Sequence, residues 1–545
     1  MNSNTPLENK TSSATSSPTN VHLPTPKFFM PVFLTIIIAT LIYIGFQMNA
    51  DLANVPPLSL YSVILLATAL FIALGFEFVN GFHDTANAVA TVIYTNALPA
   101  PVAVMWAGFC NFLGVLLASG AVAYGIIALL PVEMIMNVGS GAGFAMVFAL
   151  LIAAILWNLG TWFFGIPASS SHTLIGSILG VGIMNHIINS AAQVNSSGID
   201  MDQVMKVGKA LLISPLVGFG FAAIVFLLVK VLLKKHIALF QPPEGNKPPP
   251  PIIRALLIFT CTGVSFAHGS NDGQKGMGLI MLILVGLVPL AYSLNKNLDQ
   301  NQIQQFKTLS AEAAVIIAPQ NPSQAPSYSS EKAREILTTY IQTKEVQPQV
   351  IPALASMTYY LGQELGPYAS LKDVPEAVVS NLRNEMYLTV ATFKGLNKQK
   401  ALPTWNESEQ KTIKSYQKSL DSFLQYIPTW VKVAVALALG LGTMVGWKRI
   451  VVTVGERIGK NHMTYGQGMS AELVAMTTIA AADSLGMPVS TTHVLNSAVA
   501  GTMVANRSGL QWSTIRSILS AWVLTLPVTI FLSGSLYWIF LQFVG

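Results

Sequence analysis

The sequence predicts an all-α integral membrane protein that crosses the bilayer about ten to twelve times. Three observations predict it. Only 10% of the 545 residues are charged and 52% are hydrophobic, where a soluble domain carries about 25% charged residues. Mean hydropathy is +0.55, so water cannot be the main solvent of this chain. Apolar runs at 29–47, 146–164, 211–233 and 518–543 each match the roughly 20 residues a helix needs to span hydrocarbon. The net charge of +6 does not point to nucleic acid. Lys230, Lys234, Lys235, Lys448 and Arg449 flank apolar segments, as membrane-border cations do.

From the N-terminus, residues 1–27 are rich in Ser, Thr, Asn and Pro and read as a disordered tail. They lack the basic start of a cleavable signal peptide, so residues 28–48 read as a retained transmembrane segment. An internal repeat then organises the chain. Asn80-Gly-Phe-His-Asp-Thr-Ala-Asn87 lines up with His268-Gly-Ser-Asn-Asp-Gly-Gln-Lys275, which sets Asp84 on Asp272. Gly165-Ile-Pro-Ala-Ser-Ser-Ser-His172 lines up with Gly486-Met-Pro-Val-Ser-Thr-Thr-His493. The first offset is 188 residues (84 to 272) and the second is 321 (172 to 493), so the second half holds about 133 extra residues.

The repeat gives the domain organisation. Residues 60–236 form a first membrane repeat, 237–251 a Pro-rich linker, and 252–294 with 428–545 a second membrane repeat. Residues 295–427 are the extra ones, an extramembranous, partly helical insertion with helix-like stretches at 329–343 and 406–424. The densest basic flanks are Lys234–Lys235 and Lys448–Arg449 with Arg457 and Lys460. They are expected inside, which puts the insertion outside. Cys110 and Cys261 each stand alone in an apolar segment, which fits core packing and no disulfide or zinc framework.

The chemistry is concentrated in the repeated motifs. An intramembrane aspartate costs roughly 2.5 to 3.5 kcal/mol on insertion scales and therefore faces a cavity. Asp84 and Asp272 lie in Gly- and Asn-rich surroundings expected to break the helix and to form a cation site with free carbonyls. In the Gly-x-Pro motifs, Pro ends one helical segment and a hydroxyl run starts the next. Three hydroxyls then gather at a helix N-terminus, whose partial positive charge suits an anion. Of eight histidines, His83, His172, His268 and His493 sit in these motifs, placed to handle protons or to orient hydroxyls. Glu77, Asn158, Glu472 and Asp483 are further polar groups in apolar context. Gly176-x-x-x-Gly180 and Gly442-x-x-x-Gly446 read as helix-packing motifs.

On these stretches the chain resembles the Pit-type inorganic phosphate transporters of bacteria, from about residue 60 to the C-terminus. The resemblance implies an inverted-repeat transporter with broken helices and re-entrant hairpins, in the bacterial cytoplasmic membrane. It implies phosphate held by Ser169, Ser170, Ser171, Ser490, Thr491 and Thr492. Asp84, Asn87, Asn271 and Asp272, with Lys275 and His83, would serve the coupling ion or proton, supported by His172, His268 and His493. Sodium-coupled relatives carry Gly-x-Asn-Asp-x-Ala-Asn in both halves. Here His83 replaces the first Asn, and Gln274-Lys275 replaces Ala-Asn. The expectation is therefore proton coupling rather than sodium, with Lys275 as a tethered charge in place of a sodium ion. No cofactor is expected; Mg or Ca would be co-substrate in a neutral metal-phosphate complex. Phosphate and the lipid bilayer are the expected partners, with homodimerisation left open.

An intramembrane hydrolase is the enzymatic alternative, with Ser171 or Thr492 beside His172 or His493. Adjacent helical residues do not face each other, so neither pair makes a nucleophile and its base. The sequence has no Gly-x-Ser-x-Gly elbow and no Walker loop. Sulfate is the competing substrate on the helix-terminus argument alone. A buried proton acceptor in the site favours hydrogen phosphate.

Overall fold

The computed structural model describes residues 29–53, 55–192, 199–245, 247–318 and 327–544, without the side chains at 29, 85–87, 133, 372, 376, 377 and 380. The tail expected at 1–27 lies outside them. Helix α1 spans Phe29–Asp51, α2 Leu60–Tyr94, α3 Ala100–Leu117, α4 Ala121–Ile127, α5 Val132–Met136, α6 Gly141–Phe163, α7 Ser170–Ala191 and α8 Met201–Leu232. After the Pro-rich linker, α9 spans Pro251–Leu287. Helices α10 Pro289–Tyr292, α11 Gln300–Ile317, α12 Ser330–Thr343, α13 Val350–Leu365, α14 Glu376–Lys398 and α15 Glu407–Leu424 follow. The chain then returns through α16 Thr429–Thr443, α17 Lys448–Val452, α18 Tyr465–Ser484, α19 Thr491–Ala505 and α20 Trp512–Val544. Among the described residues, eight helices are long and apolar enough to cross a membrane: α1, α2, α3, α6, α7, α8, α9 and α20. The shorter α16, α18 and α19 pack among them.

The two repeats interlock by exchange. Helix α3 packs on α9 and its counterpart α16 on α2, while α8 packs on α19 and its counterpart α20 on α7. Glycines make these contacts close. A Cβ on Gly81 of α2 would meet the backbone of Leu439 and Thr443, and one on Gly269 of α9 would meet that of Asn111. The contact register fixes direction. Phe78 faces Gly442 and Phe82 faces Gly446, so α2 and α16 run parallel. Asn111 faces Gly269 and Val115 faces Gly273, so α3 and α9 run parallel too. Helices α2 and α3 are joined by a short turn (95–99) and run antiparallel. Equivalent helices α2 and α9 therefore run in opposite directions, which is the geometry of an inverted repeat.

One expectation is corrected. The helix does not break at Asp84 or Asp272: α2 runs 35 residues and α9 37 residues through them. The glycines beside the aspartates serve close packing, and side chains rather than freed carbonyls satisfy the carboxylates there. The breaks fall instead at the Gly-x-Pro motifs. Gly165 and Gly486 have φ of +66° and +63°, the left-handed conformation that ends α6 and α18. Pro167 and Pro488 follow, and Ser169 and Ser490 restart the chain as N-caps of α7 and α19.

The resulting hairpins point opposite ways. Arg449 of α17 donates to the Phe163 carbonyl at the first tip. Gly486 at the second tip sits against Ala121 of α4. The basic flanks gather at one end: Tyr94 at the end of α2 bonds Glu456 (2.6 Å), and Asn96 bonds Gly245 in the linker (2.8 Å). The insertion caps the opposite end, where α9 leaves and α16 enters the bundle. Helices α11–α15 have their own core of Ile303, Phe306, Leu337, Leu354, Tyr416 and Phe423. Ser329 caps α12 and Asn406 caps α15, so each helix starts one residue inside the stretch expected from sequence and ends where it does. Asp51 at the end of α1 accepts from Tyr292 (2.9 Å) and Trp430 (3.0 Å), which ties this helix to the same end.

Candidate functional site

The two hairpin tips and the middles of α2 and α9 meet in the protein interior. Ser169, Ser170, Ser171, Ser490, Thr491 and Thr492 are all buried. Each run occupies the first turn of its helix. Ser169 Oγ accepts from the His172 amide (3.2 Å), and Ser490 Oγ accepts from the His493 amide (3.1 Å). The tips touch through Ser171 Oγ, which donates to the Val489 carbonyl (2.7 Å). Ser170 Oγ accepts from Asn158 (3.2 Å), and Thr491 Oγ1 has no hydrogen-bond partner among the described residues. The rings of His172 and His493 lie 4.4 Å apart, where the two copies face each other.

Charged groups line the other side. Lys275 Nζ lies 2.6 Å from Asp272 Oδ1 and 2.5 Å from Ser171 Oγ, with no exposed surface. In the other copy, Thr492 Oγ1 donates to Asp84 Oδ1 (2.6 Å), and His83 Nδ1 contacts the same oxygen at 3.1 Å. His83 Nε2 reaches Thr161 (3.0 Å). His268 joins the halves, with Nδ1 2.9 Å from Asn111 and Nε2 3.5 Å from Asp272. Asp84, His268 and Asp272 each offer a ligand atom within 4.8 Å of the others, a grouping able to hold a cation. Asn271 donates to the Met487 carbonyl (3.1 Å) and accepts from the Val489 amide (3.4 Å), fixing the second tip. The side chain of Asn87 lies outside the described residues.

Of the other polar groups singled out in the sequence, Glu77 abuts Gly276 beside Lys275 and accepts from Asn80 (3.4 Å). Asp483 takes Ser270 (2.7 Å) and Gln274 (2.6 Å) and so moors the second hairpin to α9. Glu472 stands apart from this cluster. Three residues of the site escaped sequence reasoning: Asn111, Thr161 and Trp522, whose ring stacks on His493 at 3.9 Å. Asn111 is a polar residue in apolar α3 and carried a signal; Trp522 carried none. Charged side chains, hydroxyls and two helix N-termini converge here, a donor set suited to a small oxyanion. His172 Nδ1 lies 2.9 Å from Ser169 Oγ, the N-cap of its own helix, while Ser171 bonds Val489 and Lys275.

The phosphate transporter family model matches residues 80–533. The chain belongs to the phosphate transporter family. It is 42% identical over 510 residues to the low-affinity inorganic phosphate transporter PitB of Escherichia coli (strain K12), covering 89% of this chain and 99% of that one. It is 43% identical over 500 residues to PitA of the same strain, with the same coverage of each chain. A probable low-affinity inorganic phosphate transporter of Bacillus subtilis (strain 168) is 26% identical over 481 residues, covering 88% of this chain and 98% of that one. A solved sodium-dependent phosphate transporter superposes with a TM-score of 0.47 at 19% identity, covering 88% of this chain and 99% of that one. That likeness is too distant to assign a site. Family membership makes this chain a multi-pass transport protein rather than an enzyme.

Proposed function

We propose that the protein takes up inorganic phosphate at low affinity across the bacterial cytoplasmic membrane, as a proton-coupled secondary symporter. The observation that carries this reading is the meeting of two hydroxyl-capped helix N-termini, from opposed repeats, with a buried lysine between one of them and a carboxylate. Ser169, Ser170 and Ser171 with Ser490, Thr491 and Thr492 hold the phosphate oxygens. Hydroxyls and backbone N–H groups at a helix start accept negative charge without a full counter-ion.

Lys275 supplies the cation. It is placed one helical turn from Asp272, at the position matching Asn87 in the first repeat. An ammonium held there by the chain takes the place of a diffusible sodium ion, so the coupling ion is a proton. Asp84, His83, Asp272 and His268, with Asn271 and Asn87, form the polar surroundings in which that proton is bound. His172 and His493 orient the hydroxyl runs. Phosphate carried as a neutral complex with Mg or Ca would lower the charge crossing the membrane, and the Asp84, His268 and Asp272 grouping offers that cation ligands on the way.

Uptake of radiolabelled phosphate into proteoliposomes tests this reading. A pH gradient should drive it and a sodium gradient should not, and excess sulfate should leave it unchanged. Full competition by sulfate would replace phosphate by another oxyanion.

A further inference from the structure

Glu472 is fully buried in the middle of α18, away from the hydroxyl runs and the Lys275 pair. Two threonine hydroxyls from the long crossed helices clasp its carboxylate: Thr91 of α2 on one oxygen and Thr260 of α9 on the other (2.5 Å). Among the described residues, no Lys, Arg or His forms an ion pair with it. An intramembrane carboxylate with hydroxyls for its only charge partners is costly unless it takes up a proton or a cation.

The repeat shows that the fold does not need it. By the two motif offsets, Glu472 corresponds to Leu151, Thr260 to Ile72 and Thr91 to Leu279. Leu151 and Leu279 lie in one apolar core, and Ile72 packs against it. The equivalent packing position around α6 is filled with hydrocarbon, and only its counterpart around α18 holds a carboxylate and two hydroxyls.

The position along the bundle indicates a role. Thr91 lies seven residues beyond Asp84 on α2, about 10 Å along the axis. That direction leads to the end where the basic flanks gather. Ala88, Val264, Ala475 and Ile479, which fall in sequence between the Glu472 cluster and the site residues on α2, α9 and the second tip, pack in one apolar cluster. Helix α18 carries both Glu472 and, through its tip, the second hydroxyl run.

We propose that Glu472 is a second proton-binding site, on the basic-end side of the phosphate pocket, whose charge state sets the position of the second hairpin. Ionised, the carboxylate draws charge-assisted bonds from Thr91 and Thr260 and holds α18 against α2 and α9. Protonated, it binds them weakly and the hairpin is released. The proton taken up on the carboxylate is given to water at the basic end when the hairpin opens that way. This inference rests on proton coupling as proposed above.

The test uses the full chain in proteoliposomes with Glu472→Gln, which keeps an acceptor and a donor for the two threonines but cannot ionise. The variant should lose phosphate accumulation driven by a pH gradient while still exchanging labelled for unlabelled phosphate. Thr260→Val, which removes one donor to the ionised form, should shift the pH profile of uptake to the alkaline side by about one pH unit. A Gln variant that accumulates phosphate like the parent, beside a parent that responds to pH, would overturn the Glu472 assignment alone. A parent indifferent to the pH gradient would overturn the proton coupling beneath it. Should the Gln variant fail to fold, an unmoved Thr260→Val profile overturns the assignment.

Discussion

The ammonium of Lys275 lies 2.5 Å from Ser171 Oγ and 2.6 Å from Asp272 Oδ1, so one buried cation joins the hydroxyl run of the first repeat to the carboxylate of the second. Removing one member of such a pair leaves an uncompensated charge in a medium that cannot solvate it. Lys275→Met should lower stability by about 3 to 5 kcal/mol. The double variant Lys275→Met/Asp272→Asn should recover most of that loss but no transport. Thermal unfolding in detergent beside an uptake assay separates the two effects; equal stability of the single variant and the parent would contradict the pairing.

Ser169 caps α7 as well as belonging to the hydroxyl run, so its loss should carry a stability cost that the loss of Ser171 or Thr492 does not. Ser169→Ala removes the acceptor for the His172 amide and should cost about 1 kcal/mol of stability, the usual worth of an N-cap. Ser171→Ala and Thr492→Ala lose hydroxyls that contact Lys275 and Asp84 and should raise the KM for phosphate with little effect on unfolding. Transport by both alanine variants with parental KM would remove the hydroxyl runs from the binding site.

Helix packing makes a sharper prediction. Gly114 of α3 lies against the backbone of Phe266 and Ser270, so Gly114→Ala has no room for its methyl. A methyl added at Gly160 of α6 would meet no described atom within 4 Å, so Gly160→Ala should be tolerated. Size-exclusion profiles of the two variants in detergent should show a loss of folded material for the first only.

Much of this arrangement was legible in the sequence because it is written twice. The duplicated motifs singled out Asp84, Asp272 and both hydroxyl runs, the difference between their offsets set the length of the insertion, and its polar composition placed it. The Gly-x-Pro breaks also followed from local chemistry, since a left-handed Gly and a following Pro cannot continue a helix. The path of the backbone through the aspartates was not legible. Gly81 and Gly269 look like breakers in isolation, and only the approach of α16 and α3 shows that they are packing surfaces. Asn111, though a polar residue in an apolar helix, and Trp522 were missed for a related reason: their partners His268 and His493 are distant in sequence, so no local pattern shows the pairing.

In the insertion, exposure decides which ion pair matters. Lys398 meets Asp202 at 2.8 Å, but all partners are about half exposed, so Lys398→Ala should change stability by under about 1 kcal/mol. Arg334 pairs with Glu385, whose side chain is buried, and Arg334→Ala strands that carboxylate. A larger drop in unfolding temperature for Arg334→Ala than for Lys398→Ala is expected; the reverse order would contradict this reading.

The measurement that most directly tests the central claim is gradient-driven phosphate uptake by the Lys275→Asn variant, which restores the residue found at the matching position of the first repeat. Proteoliposomes would be given a pH gradient or a sodium gradient in parallel with the parent protein. A tethered ammonium standing in for a sodium ion predicts that the variant loses proton-driven uptake and responds to sodium. Unchanged proton-driven uptake by Lys275→Asn would contradict it.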